Sequence, residues 1–171
     1  MLDVRRGDGT YVTSLEPHLL LEAISFVVDM HDDDSMLEIF AVRRMLESQA
    51  TGLAATLGTD EAIADLEREV ESIDSTVSIE ELVEHDIRFH REIVGMAGNA
   101  YLASLIEHLS SQTVRARVWR GLTEGGAVER TLSEHRAIAD AIARRDSGLA
   151  TSLATAHIAG VERWLRQAAT A

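Results

Sequence analysis

The sequence predicts an all-α protein: an antiparallel bundle of about seven helices, preceded by a short β-hairpin. Three observations carry this. From Pro17 onward, apolar residues recur at helical spacing in successive blocks. The breaks between blocks are short and hold helix caps and glycine stops. There is a single proline, and aromatic residues make up only 4% of the chain, whereas strands favour aromatic and β-branched side chains. With 171 residues, 46% of them hydrophobic, the chain can bury the core of one ordinary domain and not of two. The expected division is a hairpin unit over 1–15 and a helical domain over 16–171.

The first residues differ from the rest. Val4-Arg5-Arg6, Gly7-Asp8-Gly9 and Thr10-Tyr11-Val12-Thr13 read as strand, tight turn and strand. A lone hairpin is marginal in water, so it either packs on something or is a fragment of a larger unit. A first helix is expected from Pro17, with Leu20, Ala23, Ile24, Val27 and Val28 on one face, ending at the acidic run His31 to Asp34. Ser35 and Glu38 then form a capping box for a second helix carrying Leu37, Phe40, Leu46, Leu53, Ala54 and Leu57, which stops at Gly58. Thr59 caps a third, with Asp60 and Glu61 in its first turn and Ile63, Leu66, Val70 and Ile73 on its apolar face.

Ser78 and Glu81 form a second capping box, opening a fourth helix that runs through Ile93, Val94 and Ala97 to the stop Gly98-Asn99. The fifth carries Leu102, Leu105, Ile106, Leu109 and Val114, with a break at Gly121 and at Gly125-Gly126. Leu132, Ile138, Ala139 and Ile142 mark the sixth, ending near Arg144-Arg145. Asp146 or Ser147 caps the seventh, whose face is Leu149, Leu153, Val161, Trp164 and Leu165. Short connections between helices make the bundle antiparallel.

Composition excludes several functions. There is no cysteine, so disulfides and thiolate metal sites are ruled out, and any bound metal must use nitrogen and oxygen ligands. No apolar run has the length of a signal-peptide core or of a membrane span, and a soluble, cytoplasmic protein with no membrane partner is expected. All 16 basic residues are arginine, and the formal charge of -13 repels nucleic acid over most of the surface. Only Arg5 and Arg6 sit in a locally basic setting.

The informative residues are polar ones that the pattern buries. Asp86 and His90 lie four apart on the apolar side of the fourth helix, one above the other. His135 falls between Leu132 and Ile138, and His157 between Leu153 and Val161, so four potential ligands on three helices can converge. Burying an unpaired carboxylate is costly, and a divalent metal would satisfy all four groups together. Two plainer accounts compete: an Asp–His hydrogen bond explains the pair equally well, and a lone core histidine is usually a packing residue. His18, His31, His85 and His108 have no such pattern, and His85 is expected to point away from Asp86. Arg43 shares a stripe with Ile39, Phe40 and Leu46, so its guanidinium is placed to grip a carboxylate, or else pairs internally with Glu47 or snorkels to the surface.

Taken in order, Val42-Arg43-Arg44-Met45-Leu46-Glu47, Asp86-x-x-Phe89-His90, Ala97-Gly98-Asn99, Glu134-His135-x-x-Ile138 with Ala141-Ile142 and Asp146, and Ala154-x-x-His157 resemble the FCD domain over roughly residues 17–168. That is the C-terminal effector-binding domain of FadR-type GntR transcription regulators, and the helix count resembles the seven-helix branch. The resemblance implies that Asp86, His90, His135 and His157 are metal ligands, with zinc first and nickel, manganese or iron as alternatives. It implies that Arg43 holds a small organic acid effector, that the protein is a homodimer, and that operator DNA is bound by a winged helix-turn-helix domain preceding this one. Residues 1–15, with Arg5 and Arg6, then resemble the end of its wing, most of that domain being missing. Two other functions stand beside this regulator: a metal-dependent enzyme using the three-histidine, one-aspartate set to activate water, and a structural metal-containing dimerisation module.

Overall fold

A computed structural model describes residues 2–5, 9–12 and 34–168, with side chains from 36 to 168. The expected hairpin is present: β1 (Leu2–Arg5) pairs antiparallel with β2 (Gly9–Val12), in the register Leu2↔Val12 and Arg5↔Gly9. Arg6 and the helix expected from Pro17 to His31 lie outside the described residues. Seven helices follow among the described residues: α1 (Asp34–Leu57), α2 (Asp60–Glu71), α3 (Ile79–Met96), α4 (Ala100–Gln112), α5 (Val114–Thr123), α6 (Ala127–Ala143) and α7 (Ser147–Ala168).

Most boundaries follow from the local chemistry read above. Thr59 accepts from the Ala62 N–H. Ser78 and Glu81 exchange both bonds of a capping box. Gly98, at φ +70°, ends α3 in a conformation that costs an L side chain roughly 1–2 kcal/mol. Asn99 then caps α4 by accepting from the Tyr101 and Leu102 N–H groups, and the Asp146 carboxylate accepts from Leu149 in the first turn of α7.

Three expectations about helix ends are corrected. Ser35 lies inside the first turn of α1, which begins at Asp34, so it is not that helix's cap. The single helix expected after Asn99 is two, because the chain bends at Thr113 (φ −98°, ψ 2°). Gly121 does not end a helix: α5 runs on to Thr123, and Gly121 is where it rests on α3, since a Cβ there would come within 2.8 Å of Ile79 Cγ2.

Helix α3 runs through the middle of the bundle, touching α1, α2, α4, α5 and α6, while α1 lies most extensively against α7. That long contact is made of small residues. Ala54 and Ala55 of α1 share a buried cluster with Ala150 and Ala154 of α7, together with Phe89, Ile93, Ile138 and Ile142. Gly52 is closer still, because a Cβ there would be 2.3 Å from Thr151 Oγ1. Leu53 and Leu57, expected on the buried face of α1, are instead 40% and 55% exposed. The small residues are the ones that let the two backbones approach, and they turn the leucines outward. No helix among the described residues is long and apolar enough to cross a membrane.

Candidate metal centre

Leu82, Val83, Phe89, Ile93 and Val94 bury one side of α3, and this burial carries Asp86 and His90 inward with them. Leu132 and Ile138 do the same for His135 on α6, and Ile158 and Val161 for His157 on α7. All four side chains are buried, and one ligand atom from each lies within 4.8 Å of the others. Asp86 Oδ1 stands 3.5 Å from His135 Nε2 and 3.7 Å from His90 Nε2. The four predicted ligand positions therefore meet at one point, reached from three helices.

The second nitrogen of each ring is held from outside the cluster. His90 Nδ1 lies 3.1 Å from Glu47 Oε2 on α1, and His157 Nδ1 lies 2.7 Å from Glu134 Oε2 on α6. His135 Nδ1 lies 3.0 Å from Nε2 of a fourth imidazole, His85. A carboxylate only accepts, so in the neutral tautomer that fits this geometry His90 and His157 donate from Nδ1 and leave Nε2 free to face inward, as a metal-binding imidazole requires. His135 Nε2 is buried with no hydrogen-bond partner. An orphaned buried nitrogen beside two imidazoles and a carboxylate fits a divalent cation with nitrogen and oxygen ligands.

The electrostatics agree with that donor set. Burial alone would raise the Asp86 carboxyl, but the Arg117 guanidinium beside it outweighs burial and holds the acid well below its usual range. Burial, reinforced by His157, pushes His135 well below the ordinary imidazole value, so the ring is neutral at physiological pH. Glu47 is likewise opposed by burial, yet Arg43 and His90 bring it down to about 2.

Arg43 is 2% exposed and faces the interior, as its stripe indicated, but its guanidinium is engaged. Nε donates to Glu47 Oε1 at 2.5 Å, and Nη1 donates to Thr113 Oγ1 at 2.5 Å, across the α4–α5 bend. The internal pair with Glu47 is thus present, and Arg43 still lines the cavity beside the cluster. Arg117 is the residue that sequence reasoning missed. On α5 it donates Nη1 to Asp86 Oδ2 and Nη2 to the Ser110 carbonyl, while its buried Nε has no partner. The signal was available: Ala116, Arg117 and Arg120 share the buried face of α5, so two arginines sit where apolar residues belong. His85, expected to point elsewhere, does turn away from the cluster but is fully buried against His135. His108 supplies no atom to the cluster, and His18 and His31 lie outside the described residues.

Between α1, α3, α5, α6 and α7 lies a cavity of about 30 Å³, lined by Arg43, Asp86, His90, Arg117, Arg120 and His157 among others. That is room for water-sized occupants, so any larger molecule must displace a side chain. A second cavity of about 230 Å³ lies on the other flank of His90, between α3 and α4, lined by Val94, Ile106 and Ser110 among others.

Residues 38–160 match the FCD domain. The HTH-type transcriptional regulator LutR of Bacillus subtilis (strain 168) is 30% identical over 171 residues, covering 95% of this chain and 76% of that protein. The Galactonate operon transcriptional repressor of Escherichia coli (strain K12) is 27% identical over 173 residues, covering 98% and 75%. Among solved structures, Streptococcus agalactiae GntR superposes with a TM-score of 0.64 at 24% identity, covering 95% of this chain and 74% of that one. E. coli McbR/YncC superposes at 0.65 and 15%, covering 97% and 73%; these two establish the fold. The family and these named relatives are those of transcription regulators, not of enzymes. The chain belongs to the FCD domain family.

Proposed function

We propose that this domain is the metabolite sensor of a transcription regulator, with a divalent metal held by Asp86, His90, His135 and His157 and a small organic carboxylate bound beside it. The observation that carries the reading is the convergence of one Asp86 oxygen and three imidazoles within 4.8 Å, with His135 Nε2 buried and unsatisfied. Zinc suits three nitrogens and one oxygen, and nickel, manganese or iron are alternatives. A metal held there would supply positive charge to attract an anion. The chain does the rest. Glu47 and Glu134 orient two of the rings, and Arg117 keeps the outer Asp86 oxygen occupied so that the inner one faces the cluster.

Arg43 holds the far edge of the carboxylate. Because the cavity admits only water-sized occupants, the effector displaces a side chain as it enters, and Arg43 exchanges part of its Thr113 contact for the ligand. One relative is named a galactonate operon repressor, so hydroxy acids and sugar acids are the effector class to try first. In the full regulator, working in the cytoplasm as a homodimer, effector binding would shift the placement of two upstream DNA-binding domains. It can do so only through different affinities for two arrangements. On this account residues 1–15, with Arg5 and Arg6, are the end of a DNA-binding wing.

The test begins with metal analysis of the purified protein before and after chelator treatment. Hydroxy and sugar acids, galactonate included, are then titrated into zinc-loaded protein while the melting temperature is followed. Stoichiometric metal and a saturable rise in melting temperature are expected, both lost in Asp86→Ala, with the acid response alone lost in Arg43→Ala. Acid binding that persists unchanged in both variants rules out the assigned site.

A further inference from the structure

His135 differs from the other two imidazoles of the cluster. His90 and His157 each have a carboxylate directly on Nδ1, whereas the partner of His135 Nδ1 is a neutral ring, His85, at 3.0 Å. Behind His85 a carboxylate does appear: His85 Nδ1 lies 2.8 Å from Glu69 Oε1 on α2, and Arg88 Nε holds the same oxygen at 3.0 Å. The result is a continuous chain from Arg88 at the surface, through Glu69 and His85, to His135.

We infer that His85 is a positioning residue that, oriented by Glu69, fixes the His135 tautomer with its Nε2 lone pair facing the cluster. The direction of every bond follows from what each group can do. A carboxylate paired with Arg88 accepts, so His85 Nδ1 donates to Glu69. A neutral imidazole that donates from Nδ1 accepts at Nε2, so His135 Nδ1 must donate to it. His135 Nε2 is then bare, which agrees with its being buried without a hydrogen bond. The opposing pull comes from Asp86 Oδ1, 3.5 Å from that same Nε2. Left to itself, an aspartate beside an imidazole draws the ring proton toward it, which would block the nitrogen needed by a metal. The relay opposes that pull by giving the proton a better place on the far side of the ring. Phe89, stacked on His135 with centroids 3.9 Å apart and planes 11° from parallel, keeps the ring from tilting out of line. His85 is fully buried, so water does not compete for its nitrogens.

The inference rests on the metal reading for its consequence but not for its geometry, and the two can be tested apart. In metal-free, ¹⁵N-histidine-labelled protein, long-range proton–nitrogen NMR reports which nitrogen of His135 carries the proton. Wild type should be the Nδ1–H tautomer. His85→Leu should move the proton to Nε2 and weaken zinc binding, measured by chelator competition, by roughly 10 to 100-fold, the range for groups that orient metal ligands. His85→Gln, whose amide oxygen can accept from His135 Nδ1, should restore the tautomer and most of the affinity. If His85→Leu does not fold by circular dichroism, Glu69→Leu carries the same prediction, because it frees His85 to turn. A leucine variant that leaves both tautomer and zinc affinity as in wild type overturns the relay. If wild type binds no zinc yet the tautomer shifts as stated, the relay stands and the metal reading falls.

Discussion

Glu47 joins two networks at the level of single residues, accepting from Arg43 at 2.5 Å and from His90 Nδ1 at 3.1 Å while buried. Its carboxyl is brought from 4.5 down to about 2, so the stability it contributes is complete above the unfolded value and is lost as pH falls from 4.5 toward 2. The amount is on the order of 3 kcal/mol, shared with its partners. His135, a base whose value is depressed by burial, adds a loss with the same sign that begins higher. Below its ordinary value of 6.5 the unfolded chain takes up a proton that the folded ring refuses. Metal-free protein should therefore lose stability in two stages on acidification, and denaturant melts at pH 7, 5.5, 4 and 3 check this. Glu47→Gln should flatten the lower stage only. Arg117 offers a second case, because removing it strands a buried carboxylate, which typically costs roughly 3–5 kcal/mol. Arg117→Met should lower the metal-free melting temperature sharply, and zinc should recover more of that loss than it adds to wild type, since a cation then replaces the missing charge. Equal increments in the two proteins would contradict the role given to Arg117.

Helix contacts decide where the side chains of the cluster stand. Helices α1 and α7 approach closely at Gly52, where a Cβ would meet Thr151 Oγ1 at 2.3 Å and the Ser147 carbonyl at 3.3 Å. Gly52→Ala gains roughly 1 kcal/mol of helix propensity. Against this, overpacking costs typically 1–3 kcal/mol, so net destabilisation is expected in the wild-type background. In a Thr151→Ala background the clash is relieved and the cost should shrink or reverse, a coupling readable from the four melting curves of a double-mutant cycle. The capping box at the start of α3 is an independent element-level test. Ser78→Ala should cost about 1 kcal/mol, a fall of roughly 2–4 °C for a chain of this size, without altering metal stoichiometry.

Across the whole molecule the cluster ties α3, α6 and α7 together, and Glu47 extends the tie to α1. A metal bound there joins helices that are far apart in sequence, so it should act as a global staple. At a free concentration of about 1,000 times Kd the stabilisation is about 4 kcal/mol, or roughly 8–16 °C in melting temperature. Calorimetry of zinc-loaded and chelator-treated protein checks this, and hydrogen exchange should slow in all four helices together. A gain confined to α3 would mean that the ligands do not close around one ion.

The helical class, most helix ends and the inward-facing side of Asp86, His90, His135 and His157 were legible along the chain. These depend on local rules: capping groups act within one turn, and periodic burial carries Asp86, His90, His135 and His157 inward whatever the packing angle. Local rules do not reach across helices, so the groups that hold the cluster from behind were decided by tertiary structure alone. Glu134 beside His135 turns out to serve His157, and Arg117 comes from a helix whose start, at the Thr113 bend, has no glycine or proline to mark it. The exposed leucines of α1 have the same cause, since the closeness of α7 to Gly52 sets which face is buried. His85 shows the limit best: one position from Asp86, it points off the cluster, and only the fold brings its other side against His135.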